Sequence, residues 1–132
     1  APEPDKSDCI VDIAADAFLP ETYIPDAAGR IEAYKRIAAI ETADDAEDVL
    51  DELIDRYGDP PKSVQSLVDV SLVRVTAARV GVVEITQKGS ELLLYCALGR
   101  PYLSLHLQPG EDPLVILRDA VALLPGARPR QG

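Results

Sequence analysis

Cysteine and histidine are the residues with which this sequence could perform nucleophilic chemistry. It contains two cysteines, Cys9 and Cys96, and one histidine, His106. A thiol hydrolase would pair a cysteine with a histidine base, and Cys96 and His106 fall on segments that could be neighbouring strands. Cys96, however, follows the apolar run Leu92–Tyr95, whereas a catalytic thiol needs an exposed, electropositive setting. A thiol hydrolase using Cys96 therefore stands only as an alternative.

The sequence offers little to a metal ion or a phosphate group. His106 lies on the polar side of an alternating segment, without partners at a metal-ligand spacing. Asp44-Asp45 and Glu47-Asp48 could bind a hard cation, but an acidic, solvent-facing helix contains the same letters. Neither GxxxxGK[ST] nor GxGxxG occurs to hold a phosphate. We therefore predict no catalytic, metal or cofactor site.

Charge divides the chain into an acidic front half and a slightly basic rear half. Residues 1–61 hold 17 acidic and 5 basic side chains, residues 62–132 hold 6 and 8, and the net charge is −10. Because DNA binding needs a basic surface, this balance argues against direct contact with nucleic acid. It suits a partner protein with a basic surface, although a plain structural domain with solubilising acids would have the same composition.

Length and hydropathy favour one cytoplasmic domain spanning residues 1–132. A chain of 132 residues can bury a core without staples. No membrane-spanning run or signal-peptide pattern is visible, and the cysteines lack CxxC spacing, so reduced structural thiols are expected. Residues 1–8 resemble a linker remnant, and residues 125–132 a mobile basic tail.

The elements that would position a binding surface lie between Phe18 and Pro61. Phe18 is the only phenylalanine, and we expect it to anchor an extended, proline-bounded approach segment. Asp26 is predicted to cap a helix that runs to about Ile40. Its apolar stripe is predicted to comprise Ile31, Tyr34, Ile37 and Ala38. Gly29, near the start of this helix, conflicts locally with helix propensity.

The second helix has the clearest period, beginning after Thr42 and ending at Gly58. Its predicted inward residues are Ala46, Val49, Leu50, Leu53, Ile54 and Tyr57. A third helix, from about Pro61 to Val80, is apolar on two sides and therefore central. The predicted helical core contains Tyr34, Leu53, Tyr57, Val68 and Leu72.

The rest of the chain is predicted to form strands and one closing helix. The expected strands are Cys9–Ile13, Val82–Gln87, Glu91–Ala97 and Tyr102–Leu107. Asp112 should cap a last helix that ends near Leu124. The predicted fold class is α+β, with a three-helix front half packed with a small, mainly antiparallel sheet and a closing C-terminal helix.

Three blocks and the long helix after them resemble the C-terminal domain of bacterial transcription-repair coupling factors. The blocks read FLPETYIPD, RIEAYKRIA and LIDRYGDPP, and their order and spacing match the family across residues 10–81. From Val82 onward only the pattern of strands followed by a helix agrees.

The resemblance implies a regulatory role. The family's full protein is a DNA translocase that displaces stalled RNA polymerase with ATP and recruits nucleotide excision repair through UvrA. This chain contains none of the motor motifs. In the family, the C-terminal domain folds back on the N-terminal UvrB-like module of the same protein, masks its UvrA-binding surface and restrains the motor.

The resemblance also implies a partner-binding strip of Glu52, Asp55 and Arg56. These residues stand in the block ELIDRYG, which matches the family pattern E-L-x-D-R-[FY]-G where the domain meets the N-terminal module. Spacings of three and four residues place them on one strip of helix surface. The alternative is that Glu52 and Arg56 form an ordinary surface pair within the helix.

Overall fold

A computed structural model describes residues 9–96 and 101–123 of the chain. Contacts between Cα atoms divide the chain into a helical unit, residues 15–72, and a sheet unit, residues 1–14 with 73–132. The expected linker remnant at 1–8 and tail at 125–132 lie outside the described residues, as do Ala97 of the predicted third strand and the predicted helix end at Leu124. A single domain over the whole chain stays a prediction.

The helical unit contains α1 (Ala27–Ala38), α2 (Ala43–Tyr57) and the first part of α3 (Lys62–Arg79). The predicted caps are confirmed. Oδ2 of Asp26 accepts a hydrogen bond from the Gly29 amide at 3.0 Å, and Thr42 and Asp45 form a reciprocal capping box. Gly58 ends α2 at φ 87°, in the left-handed region that favours glycine.

The predicted stripe of α1 is correct at Ile37 and wrong at Ile31, Tyr34 and Ala38. Its buried residues are Ala33 and Ile37, whereas Ile31 and Tyr34 are 58% and 41% exposed and Ala38 is also exposed. The prediction followed the largest apolar side chains. Small residues at a helix contact let the backbones approach closely, so Ala33 is buried where the bulkier Tyr34 is not.

The expectation that Phe18 anchors the approach segment is also wrong. Phe18 is 48% exposed, whereas its neighbour Leu19 is 5% exposed. Consecutive side chains of an extended segment point in opposite directions, so only one of the two can face the core. The Phe18 amide instead donates to the Ser63 carbonyl at 3.2 Å.

The core of the helical unit agrees only in part with the predicted set. Leu53 and Val68 are buried, and Tyr57 and Leu72 are half-buried at its edge, but Tyr34 lies outside it. The buried core residues are Leu19, Ile24, Ala33, Ile37, Ile40, Ala46, Val49, Leu53, Val64 and Val68.

The sheet unit is built on four strands in the order β1 (Ile10–Asp12), β2 (Val82–Lys88), β3 (Glu91–Cys96) and β4 (Pro101–His106). β1 pairs with β2 in parallel, and the other two pairings are antiparallel. The tight turn between β2 and β3 passes through Gly89 at φ 60°. The mainly antiparallel sheet is thus confirmed.

Helix α4 (Pro113–Ala122) completes the sheet unit. Oδ1 of Asp112 accepts from the Leu114 amide at 2.9 Å, as expected of the predicted cap. Leu117 and Val121 of α4 share a buried cluster with β2 and β3 residues such as Ile85 and Leu94. The fold class is α+β. Among the described residues, no helix is both long and apolar enough to span a bilayer.

Candidate partner-binding site

The strand register separates the two residues that a thiol hydrolase would need. His106 of β4 is paired with Glu91, at the start of β3, whereas Cys96 ends that strand five residues later. At about 3.3 Å per residue, these positions are about 16 Å apart along the sheet. The two side chains therefore cannot share a proton, and the thiol-hydrolase alternative is not supported.

Cys9, the other thiol, lies in an unreactive setting. It is 3% exposed, and burial raises the pKa of its thiol to about 11, an effect that nearby Arg74 partly opposes. A thiol that stays protonated at neutral pH is a poor nucleophile. Within residues 9–96 and 101–123, no three acidic, histidine or cysteine side chains converge on a possible metal position.

The predicted strip lies on the C-terminal half of α2. Leu53 of this segment is buried, while Asp55 and Arg56 are exposed and the Glu52 side chain keeps 27% of its surface. Ile54, predicted to face inward, is 43% exposed, because the apolar stripe of α2 is narrower than its sequence period indicates. The strip is thus a charged surface on a helix that is anchored in the core by its buried residue Leu53.

Glu52 does not form the expected pair with Arg56. Its Oε2 instead makes an ion pair with Nη2 of Arg36, in the last turn of α1. No ion pair of Asp55 or Arg56 occurs within the part of the chain that the structure describes. Sequence reasoning missed Arg36 because its partner stands sixteen residues away, on another helix.

A groove between α1 and α2 brings together the charged side chains of Arg36, Glu52 and Arg56. It is lined by Gly29, Glu32, Ala33, Arg36, Val49, Glu52, Leu53, Arg56 and Tyr57. Small and apolar residues alternate in it with two carboxylates and two guanidiniums. Glu52 and Arg56 of the predicted strip belong to this groove, whereas Asp55 lies outside it.

Gly29 lets neighbouring side chains approach the backbone of α1 closely at one end of this groove. A Cβ at this position would lie 3.2 Å from both Cγ2 of Ile24 and Oη of Tyr57, and 3.3 Å from Oδ2 of Asp26. The glycine that conflicts with helix propensity is thus explained by tertiary packing, which outweighs about 1 kcal/mol of propensity.

Tyr23 fastens the approach segment to the C-terminal end of α2. Its hydroxyl lies 2.8 Å from the Gly58 carbonyl oxygen and 3.2 Å from that of Leu53, and its single proton is shared between these acceptors. The ring packs against that of Tyr57, with centroids 5.7 Å apart. Desolvation raises the pKa of Tyr23, and Asp59 and Tyr57 add to the shift.

Three further hydrogen bonds hold the same segment. Nη1 of Arg30 donates to the carbonyls of Ile24 and Pro25 at 2.8 and 3.1 Å. The Tyr34 hydroxyl accepts from the Leu19 amide at 3.0 Å, which gives this exposed side chain a role at the surface. The end of α2 that carries the strip is therefore fixed from outside as well as by its own core.

Comparisons with known proteins support the resemblance and extend it beyond residue 81. The family model described as TRCF domain matches residues 13–101. The transcription-repair-coupling factor of Staphylococcus epidermidis is 40% identical over 89 residues, which are 67% of this chain and 8% of that protein. The protein of the same name from Staphylococcus aureus strain USA300 is 40% identical over 88 residues, with the same two shares.

A solved structure is similar to the chain in fold. The crystal structure of the C-terminal domain of a transcription-repair coupling factor matches with a TM-score of 0.65 and 32% identity, over 67% of this chain and 55% of that one. The match thus covers about one twelfth of the length of the full relatives, and the similar solved structure is that of a C-terminal domain.

Proposed function

The chain belongs to the TRCF domain family, and we propose that it is an autoinhibitory binding module of a transcription-repair coupling factor. In this role it contacts the N-terminal UvrB-like module of its own parent protein and masks the UvrA-binding surface there. UvrA and RNA polymerase are then indirect partners, and the process is transcription-coupled nucleotide excision repair in the cytoplasm.

The exposed charge at the C-terminal end of α2 carries this proposal. Asp55 and Arg56 are exposed, and Glu52 is half-exposed beside them, all within the block that carries the family resemblance. A rigid helix favours specific docking, because little backbone freedom is lost when a partner pairs with its charged groups. The buried Leu53 and the Tyr23 contacts supply that rigidity.

Charge favours a protein partner over nucleic acid. Residues 15–72 include most of the chain's acids, and α2 alone carries seven acidic residues and one arginine. A phosphate backbone would be repelled by such a surface. A protein surface with arginines opposite the carboxylates, and an acid opposite Arg56, would be attracted to it.

The test is the UvrA affinity of the full-length parent protein, wild type against Glu52→Ala/Asp55→Ala. Loss of two interface charges should release the N-terminal module and strengthen UvrA binding by about tenfold or more. The matched control is Asp44→Ala/Glu47→Ala, which makes the same charge change about 12 Å further along α2. This control should bind UvrA as weakly as the wild type.

Thermal melting should first establish that the variants remain folded. Equal, weak UvrA binding by the wild type and the folded Glu52/Asp55 variant would place the inhibitory contact elsewhere on the domain. Equal strengthening by the control would mean that bulk charge, not the strip, restrains the module.

A further inference from the structure

We propose that Arg36 of α1 belongs to the docking surface as the residue that positions Glu52. This inference rests on the proposed function, because it concerns how the same surface is presented to the N-terminal module. It adds a second helix to a site that the sequence placed on α2 alone.

The ion pair between Arg36 and Glu52 joins the two walls of the groove. The Arg36 side chain is 50% exposed and that of Glu52 is 27% exposed, so the pair lies at the surface where a partner would arrive. The contact uses Oε2 of Glu52. A carboxylate accepts through both oxygens, so Oε1 is left for a donor on the partner.

The ion pair reduces the conformational freedom that Glu52 loses when a partner binds. A glutamate on an exposed helix samples several rotamers and loses this freedom when a partner fixes it. A guanidinium that already holds the carboxylate reduces this loss. Because Glu52 is engaged by Arg36, Arg56 is also relieved of the pairing within α2 and is presented to the partner as a second, opposite charge.

Counting Arg36 supports the mixed partner surface of the proposed function over a purely basic one. Glu32, Glu52 and Asp55 contribute three negative charges, and Arg36 and Arg56 contribute two positive charges, so the surface is close to balanced although α2 as a whole is acidic. A surface that is close to balanced gains little from a purely polybasic partner. It fits a mixed patch with an arginine opposite the carboxylates and an acid opposite Arg56.

The experiment is a double-mutant cycle in the full-length parent, with UvrA affinity as the measurement. Arg36→Ala should strengthen UvrA binding about threefold to tenfold, less than Glu52→Ala. The double variant should match Glu52→Ala alone, because a positioning residue has no effect once the side chain it positions is gone. Lys35→Ala, a neighbouring exposed charge outside the groove, should behave as the wild type.

A charge swap distinguishes positioning from plain stabilisation of the helix pair. Arg36→Glu combined with Glu52→Arg can restore a pair between α1 and α2 while inverting the charge shown to the partner. We expect the full-length protein with this charge swap to fold and to bind UvrA as strongly as the full-length protein with Glu52→Ala. A swapped parent that is folded and still inhibited would overturn the proposal.

The cycle separates this proposal from the proposed function. If Glu52→Ala strengthens UvrA binding but Arg36→Ala does not, the positioning role is wrong and the autoinhibitory surface stands. If the two effects add in the double variant, Arg36 acts independently of Glu52, which also overturns the positioning role. If neither Arg36→Ala nor Glu52→Ala/Asp55→Ala alters UvrA binding, the inhibitory contact lies elsewhere on the domain, and both the strip and the positioning role are wrong.

Discussion

The hydroxyl of Tyr23 lies 2.8 Å from the carbonyl oxygen of Gly58, across 35 residues of sequence. This contact places a hydrogen-bond donor at the end of α2, where the last carbonyls of a helix lack partners within the helix. It also attaches the extended segment before α1 to the residue that follows the partner-binding strip. The position of the strip therefore depends on a side chain that does not belong to it.

Replacing Tyr23 by phenylalanine should weaken this end of α2. The variant keeps the ring contact with Tyr57 and loses only the hydroxyl, so the free energy of unfolding should fall by about 1 kcal/mol. Urea denaturation of the 132-residue chain measures the difference. An unchanged midpoint would mean that water replaces the hydroxyl at no cost.

The contribution of the Tyr23 hydroxyl to the free energy of unfolding should fall at alkaline pH. The pKa of Tyr23 is raised above its ordinary value of 10.0 in the folded chain, so folding favours the neutral phenol. Its contribution is fully present below about pH 10 and is lost as pH rises through the higher folded pKa. The stability difference between wild type and Tyr23→Phe should be constant up to pH 9 and shrink above pH 10. A difference that grows with pH would contradict the direction of this shift.

Local rules predicted more of the fold than long-range contacts did. Asp26, Thr42 and Asp112 were identified as caps because capping depends on residues within one turn. In α1 the sequence predicts Ile37 correctly but not Ala33, because burial of Ala33 rather than Tyr34 depends on the neighbouring helix, not on the size of the side chain. The candidate strip was found through its motif, but Arg36 and Tyr23 reach it through contacts that no spacing rule describes.

Leu53 and Ile54 offer a matched pair for testing the register of α2. Leu53 is 5% exposed and Ile54 is 43% exposed, although they are adjacent and of equal volume. Leu53→Ala should lower the free energy of unfolding by about 2–5 kcal/mol, because it leaves a cavity in the core. Ile54→Ala should cost roughly 1 kcal/mol or less. Equal losses in chemical denaturation would show that the helix is rotated from this register.

Cys9 should resist thiol reagents until the chain unfolds. With a pKa of about 11 instead of the ordinary 9.0, its thiolate fraction at pH 8 is about one hundredth of that of an unperturbed thiol. Burial should slow the reaction further. In a Cys96→Ser variant, the reaction with a disulfide reagent reports Cys9 alone, and the urea-unfolded variant supplies the reference rate. A folded rate within tenfold of the unfolded one would contradict this burial.

This chain is expected to bind nucleic acid only weakly. Neutralising phosphates requires clustered lysines and arginines, and non-specific binding by basic proteins reaches a Kd of about 10⁻⁴–10⁻⁶ M at physiological salt. With 23 acidic and 13 basic residues, this chain should bind a labelled duplex more weakly than that range. Fluorescence anisotropy at about 150 mM salt measures the Kd for this duplex. Residues 62–132 carry the only positive balance, a net charge of +2, so any residual binding should come from them and disappear as salt rises. Submicromolar, salt-dependent affinity would overturn the argument for a protein partner, because a surface that attracts phosphates so strongly would not be governed by the acids of α2.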